Sequence, residues 1–529
     1  MKKLISLLLV FALLSLCACA SGETQAPAAS DATPAVKTEV SAPTVSAVTL
    51  YKDKLTLSED NGAVTLCEVT YPALALSSAD AEKYAKLSRA LTALNAESAA
   101  NSQTAFSELL YAAQVDYEKR SAAESESADT NEETAPFETF YRYDDLACPR
   151  ADSRAVSILY SMTSYSGGVH GNYYYYSTNL DTHTGRSLSV GDVVLDMARL
   201  REVLEAALRH GYPDADFSCM EDALNAYFSD PASFTWTLDY EGLTFFFSPG
   251  ELADFETGKL ICSLRFADYQ GLFSEYYTLT PTNYAVPFTD GKCLNLDLNA
   301  DGASDEIAVE RVYSKDGAEI EKLIISVNGK DYTANTPMLE CTPYLVNIAS
   351  ARYYLIVSAQ NLTGYGYLGV YKLDRSGASL VGMVYDTSLY AAAYADECPG
   401  EPLLTNPDSF PLGTRQQYLG TLTGLKTYSV GADGMPVTAD SYYTLSGAAP
   451  LTLKSQLVTA TIDASGSGTF AAVTLAPGTV MSFLRSDGAG AVDMVTDDEV
   501  YCRLYVSGKL GAQYVNGMAA ESLFDGIGK

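Results

Sequence analysis

Histidine is nearly missing from this 529-residue chain: only His170, His183 and His210 occur, and none follows position 210. With no H-E-x-x-H, no G-x-S-x-G and no phosphate-binding glycine loop either, zinc protease, serine hydrolase and nucleotide-hydrolase readings have no residues to stand on. Cysteine is scattered. Beyond Cys17 and Cys19 the eight others, from Cys67 to Cys502, form no C-x-x-C pair, which argues against a zinc ribbon or a thioredoxin-type site. Buried free thiols and disulfides both stay open, because eight cysteines allow 105 full pairings. Basic residues are also few, 34 against 66 acidic ones, for a formal net charge of -32. A chain so acidic is a poor partner for nucleic acid, is repelled by anionic lipid and wall polymers, and attracts basic proteins. No apolar run of membrane-spanning length follows Cys19. Among 66 carboxylates no Asp/Glu pair stands out as a glycosidase dyad.

The longest apolar run is N-terminal. Lys2 and Lys3 precede Leu4 to Leu16, the layout of a secretory signal. Its end, Leu16-Cys17-Ala18-Cys19, resembles the lipobox of bacterial lipoproteins, with small Ala18 ahead of Cys19 and bulky Leu16 ahead of Cys17. That resemblance implies cleavage after residue 18, lipidation of Cys19 (a palmitate-type anchor), and a mature chain held to the outer face of the cell membrane by acyl chains alone. Residues 19–47, rich in Ala, Pro, Ser and Thr, read as a disordered tether.

Residues 48–277 read as one α+β unit with two subdomains. Tyr84, Leu87, Leu91 and Leu94 recur at helical spacing behind a cap at Ser77 and Asp80, and Phe106, Leu109, Leu110 and Ala113 continue a helical stripe. The acidic stretch 120–136 reads as an exposed loop. Val156, Ile158, Tyr160 and Met162 alternate with mostly polar neighbours, as in a half-buried strand. Helices are expected near 195–209 and 220–228, and strands near 234–238, 243–247 and 259–264. From 285 to 480 short strands separated by Gly, Asp and Asn turns predict an all-β domain, propeller-like or of a related β-sheet type. Residues 481–529 read as a small β unit of their own.

Asp297, Asn299, Asp301 and Asp305 occupy positions 1, 3, 5 and 9 of an EF-hand-like loop, with Gly302 at the sharp turn and the Ala303 carbonyl available at position 7. Calcium is the cation such oxygens suit, since carboxylates so close repel one another. Ala308 stands where the bidentate Glu of an EF-hand belongs, and the loop is similar to the Asp-rich loops of FG-GAP and VCBS-like β repeats. Asp181-Thr-His183-Thr-Gly185 reads as a turn, and His210 as the cation that ends a helix.

The densest pattern is Ser164-Tyr-Ser-Gly167-Gly168-Val-His170-Gly171-Asn-Tyr173-Tyr-Tyr175-Tyr176. Glycines allow close approach or positive φ, and Tyr165, His170, Tyr173 and Tyr175 are the candidate ligand-binding residues; tyrosine is equally a strand former. With Asn179-Leu-Asp181, Thr184-Gly185-Arg186-Ser-Leu188, Gly191-Asp192-Val193 and Asp239-Tyr-Glu-Gly242 through Leu252, it resembles the extracytoplasmic domain of unknown function shared by RsiV-type, lysozyme-binding anti-sigma-V factors and PdaC-type peptidoglycan deacetylases. The resemblance spans about residues 48–277. It implies an envelope-facing recognition domain. Two departures limit what else it implies: a lipoprotein cleaved before Cys19 keeps no cytoplasmic segment to bind a sigma factor directly, and the C-terminal half has no histidine for a deacetylase metal centre. The expectation is therefore a non-catalytic surface lipoprotein recognising a lysozyme-like basic protein or a peptidoglycan fragment. A glycan-acting hydrolase using a carboxylate pair, and an adhesion or structural lipoprotein binding through its β domain, are the alternatives.

Overall fold

The computed structural model describes residues 45–62, 64–127, 137–289, 291–315, 317–335, 338–349, 352–361, 366–464 and 471–527. Cys19, the signal and the tether up to Thr44 lie outside the described residues, as does 128–136 of the acidic stretch. The last tether residues belong to the fold: Val45 is buried, and the Ser46 carbonyl accepts the Ser153 N–H at 2.8 Å.

The N-terminal half is built on a six-stranded sheet. Its core strands are β1 (Leu50–Asp60), β2 (Thr65–Leu76), β3 (Phe140–Ala151), β4 (Ala155–Tyr165) and β5 (Asn172–Asp181), in that spatial order. Only β2 and β3 run parallel, so a crossover must join them. It is made by α1 (Ser78–Lys83) and α2 (Ala85–Ser127). Ser77 caps α1 through the Asp80 N–H, as its position ahead of the apolar stripe predicts. Tyr84, Leu87 and Leu91 bury one end of the crossover against Leu146, Ile158 and Tyr160, and Phe106, Leu109 and Ala113 pack the other end against Val69 and Phe140. The helix continues to Ser127, past the point where a loop is expected; Ala and Glu favour helix, and Arg120 pairs with Asp116 one turn back at 2.6 Å.

A second layer carries α3 (Val190–Val193), α4 (Met197–Gly211), α5 (Met220–Ser229) and the three-stranded sheet β6 (Trp236–Leu238), β7 (Gly242–Phe247) and β8 (Leu260–Arg265). Leu200, Leu204 and Leu208 of α4 and Leu224 of α5 meet Trp236, Phe245 and Phe247 in its core. This layer covers β4, which is buried on both faces from Ala155 to Tyr160 and not on one. Ser157 of the alternation and Asn179 of the adjacent β5 face a partner backbone instead of water: Ser157 Oγ accepts the Leu238 N–H at 2.9 Å, and Asn179 Nδ2 donates to the Trp236 carbonyl at 2.9 Å.

The C-terminal half is all β. The four-stranded sheet β10 (Leu294–Leu296), β11 (Asp305–Tyr313), β12 (Ile320–Val327) and β13 (Lys330–Ala334) shares a core with a five-stranded sheet. That second sheet comprises β9 (Tyr284–Pro287), β14 (Glu340–Asn347), β15 (Tyr353–Gln360), β16 (Gly366–Asp374) and β17 (Gly377–Tyr385). Its other face packs on Leu389, Phe410 and Leu412. The last sheet has fourteen strands in an open order, and among the described residues no sheet closes into a barrel, in keeping with the all-β domain expected. Tyr443 pairs with Ser486, so this sheet runs across position 480, where a separate terminal unit is expected to begin. All eight cysteines after Cys19 are free thiols; Cys67, Cys148, Cys262, Cys341 and Cys502 are buried.

The two halves are stitched together. Lys52 of β1 registers with Glu401, Tyr51 with Pro402, and the Thr405 hydroxyl donates to the Val48 carbonyl at 2.7 Å across 357 positions.

Candidate functional site

The Gly-rich segment forms the β4–β5 hairpin end. Gly167 and Gly168 have φ of 89° and 110°, and a Cβ on Gly171 would sit 2.9 Å from the Ser164 carbonyl oxygen, so the turn itself explains these glycines. The hairpin parts the four candidate ligand residues. Tyr165 is buried against Phe140 and Tyr141, with its hydroxyl donating to the Gly168 carbonyl at 3.3 Å. His170 is exposed and stacks on Phe255 at 5.8 Å. Tyr173 and Tyr175, two apart on one strand face, do come together: their rings lie 5.1 Å apart, with Lys259 over both at 5.0 and 5.8 Å.

Those two tyrosines line a cleft of about 710 Å³ between the six-stranded sheet and the β-rich half. It is lined by Lys52, Lys54, Tyr143 and Asp145 of the first half, by Glu340, Tyr344 and Tyr390 of the second, and by Glu401, on the edge strand that pairs with β1. Lys52 Nζ pairs with Asp145 Oδ1 at 3.0 Å, joining a side chain 17% exposed to one 71% exposed, from floor to mouth. Burial opposes the Lys52 charge, yet Asp145 and Glu401 outweigh it and hold its pKa above the ordinary value. Burial pushes the Glu401 carboxyl up to about 7; Lys52 and Lys54 pull it down while Asp145 and Glu340 push it further up. Tyr390 shares a hydrogen bond with Thr342 at 2.8 Å, and its phenol is raised well above the usual range, mainly by burial and then by Glu401. Sequence reading finds Tyr173 and Tyr175 and misses Lys52, Asp145, Glu340 and Glu401, whose meeting depends on the long-range pairing of β1 with Glu401 and Pro402.

The Asp-rich loop directs its oxygens inward. Asp297 accepts the N–H groups of Asp301 and Gly302 at 3.0 and 2.7 Å, and Asp301 accepts that of Ala303 at 2.8 Å and Asn299 Nδ2 at 3.0 Å. Asp305 is buried and accepts from Leu298 and from Asn328 Nδ2. Arg375 supplies positive charge, reaching Asp301 at 2.6 Å and Asp305 at 3.6 Å. The Ala303 N–H, then Asn299 and Arg375, hold the Asp301 carboxyl below its ordinary pKa. Among the described residues no group of three or more His, Cys, Asp or Glu side chains converges as a metal site. Asp181 accepts from both the backbone and the hydroxyl of Thr184, and His183 meets the Tyr84 ring edge-to-face at 5.7 Å, so that segment is a turn. Among the described residues no helix is long and apolar enough to cross a membrane.

No protein-family model matches the sequence, and no curated protein does. Solved structures are similar in part. One is a DUF3298 family member from Bacteroides fragilis, 15% identical, with a TM-score of 0.31, covering 44% of this chain and 96% of its own. Another is a DUF3298 family protein from Pseudomonas aeruginosa, also 15% identical, with a TM-score of 0.26, covering 43% of this chain and 96% of its own.

Proposed function

We propose that this chain is a non-catalytic surface lipoprotein, anchored through Cys19, that recognises a peptidoglycan fragment in the cleft between its halves. The observation that carries the reading is the cleft: about 710 Å³, lined by tyrosines and by the Lys52–Asp145 ion pair. Its volume falls in the range of small-ligand sites, and aromatic walls with a few placed charges suit sugar rings and short peptides. A flat patch would favour the basic-protein ligand; a concave site of this size favours the fragment. Calorimetric titration with soluble muropeptides is expected to show one site per chain, weakened at least tenfold by Tyr175→Ala. Equal binding by the variant, or binding of lysozyme and of no muropeptide, overturns the cleft as the site.

One observation favours a second reading. A carboxyl poised near pH 7 beside two others in a cleft is the equipment of a general acid, so Glu401 with Asp145 or Glu340 could serve a glycan hydrolase. Release of reducing ends from purified wall polymer, lost in Glu401→Gln, would establish it.

Calcium is also proposed at the Asp-rich loop, where Arg375 competes for the carboxylate oxygens. Calcium is expected to raise the melting temperature of Arg375→Ala more than that of the parent chain. A rise in the parent that Asp301→Ala removes puts the ion in the loop beside Arg375; no rise in either chain excludes it.

A further inference from the structure

Glu401 is the odd charge of the cleft. Its cross-strand partner on β1 is Lys52, and Lys54, Asp145 and Glu340 line the same cleft. Lys52 is already committed to Asp145 at 3.0 Å. Arg311, also on the cleft wall, donates to the Cys341 carbonyl at 3.4 Å and is not among the charges that dominate at Glu401. Tyr390 and the buried Tyr344 line the same cleft, so the carboxyl shares it with aromatic side chains. A half-buried carboxylate in a tyrosine-lined cleft, with its cross-strand lysine already engaged by another carboxylate, is complementary to an alkylammonium.

We infer that the Glu401 end of the cleft binds a primary alkylammonium of the ligand, the side-chain amine of a diamino acid in a peptidoglycan stem peptide. This rests on the cleft being the recognition site, and it names the group that site selects. The stem peptide is favoured over a lysine of a folded protein because Glu401 is part-buried on a strand pairing at the cleft wall, while the neighbouring Asp145 at the mouth is the carboxylate left 71% exposed. A short peptide reaches in where a protein surface does not.

The test uses a matched pair, Ala-γ-D-Glu-Lys and the same tripeptide with its lysine Nζ acetylated, titrated into the full chain by calorimetry at pH 8. The free amine is expected to bind at least tenfold tighter, and Glu401→Gln to reduce that preference below threefold while its melting curve stays cooperative. Glu340→Gln, which leaves Glu401 in place, is expected to keep most of the preference. Equal affinity of the two peptides, or a preference that survives Glu401→Gln, overturns the inference. Failure of both peptides while an uncharged chitin tetramer binds also overturns it but leaves the cleft as a recognition site; failure of all three overturns the cleft reading too. Lysozyme binding that Glu401→Gln weakens, with neither peptide bound, transfers the ammonium to a protein and rejects the stem-peptide assignment.

Discussion

Replacing Arg150 by Met is expected to destabilise the N-terminal half by about 3 to 5 kcal/mol, the usual loss when one partner of a buried ion pair is removed. Arg150 has no exposed side-chain surface, and neither has Asp152, to which it is joined at 2.8 Å. The guanidinium also donates to the carbonyls of Tyr277 at 2.6 Å, Leu279 at 2.9 Å and Asp239 at 3.3 Å, and lies 5.3 Å from the Tyr240 ring. It therefore ties β3 to the layer built on β6 to β8. Truncation leaves the Asp152 charge buried and three carbonyls without a donor. Arg150→Lys is expected to rescue little, because a single ammonium cannot span the planar fork of contacts. The chain has one tryptophan, Trp236, buried in the layer that Arg150 holds. Its fluorescence in a urea titration follows the relevant unfolding step, and a loss under 1 kcal/mol would contradict the assigned role.

Stability should fall as pH rises from about 5 to 8. Glu241 and Glu401 are both pushed up to about 7, chiefly by burial. At Glu241 the Tyr284 hydroxyl, Arg265 and Lys292 oppose the rise and Asp239 adds to it; at Glu401 the opposing groups are Lys52 and Lys54, and Asp145 and Glu340 add. Each carboxyl keeps its proton to about pH 7 when folded but releases it near 4.5 when unfolded. In that window the folded chain binds more protons, so the contribution of each group declines with rising pH, by up to about 3 kcal/mol. Asp192 has the opposite sense, held to about 2 by Arg186 first and by Ser189, and its contribution is lost only in stronger acid. Thermal unfolding at pH 5, 6, 7 and 8 is expected to show a falling melting temperature, flattened in the Glu241→Gln, Glu401→Gln double variant. A rise across that window would refute the protonation states assigned to both carboxyls. The same test bears on ligand choice, since an alkylammonium at Glu401 should restore part of the stability lost at pH 8.

What was readable in the sequence was local. Ser77 and Asp80 announce a helix start because a cap needs only neighbours within one turn, and Leu87 and Leu91 share a helix face by spacing alone. Tyr173 and Tyr175 share a strand face for the same reason. What was not readable depends mostly on partners distant in the chain. Ser157 looks solvent-facing until the Leu238 N–H, 81 positions away, fills its side of the strand. The Asp-rich loop calls for a cation, and the sequence offers no sign that Arg375, 74 positions from Asp301, reaches it. Tyr165 and His170 share a motif with Tyr173, but the hairpin turns Tyr165 into the Phe140 cluster and sets His170 against Phe255.

By itself the sequence determined the scarcity of catalytic histidine, the excess negative charge, the helix and strand periods and the change from α+β to all β, because composition and short-range periodicity are properties of the unfolded chain as well. Where the cleft lies and which carboxyl in it is poised near pH 7 depend on contacts between distant parts of the chain. Lys52 and Glu401 meet through the pairing of the strand ends β1 and Glu401–Pro402, and burial shifts a pKa only after the chain has closed around the group.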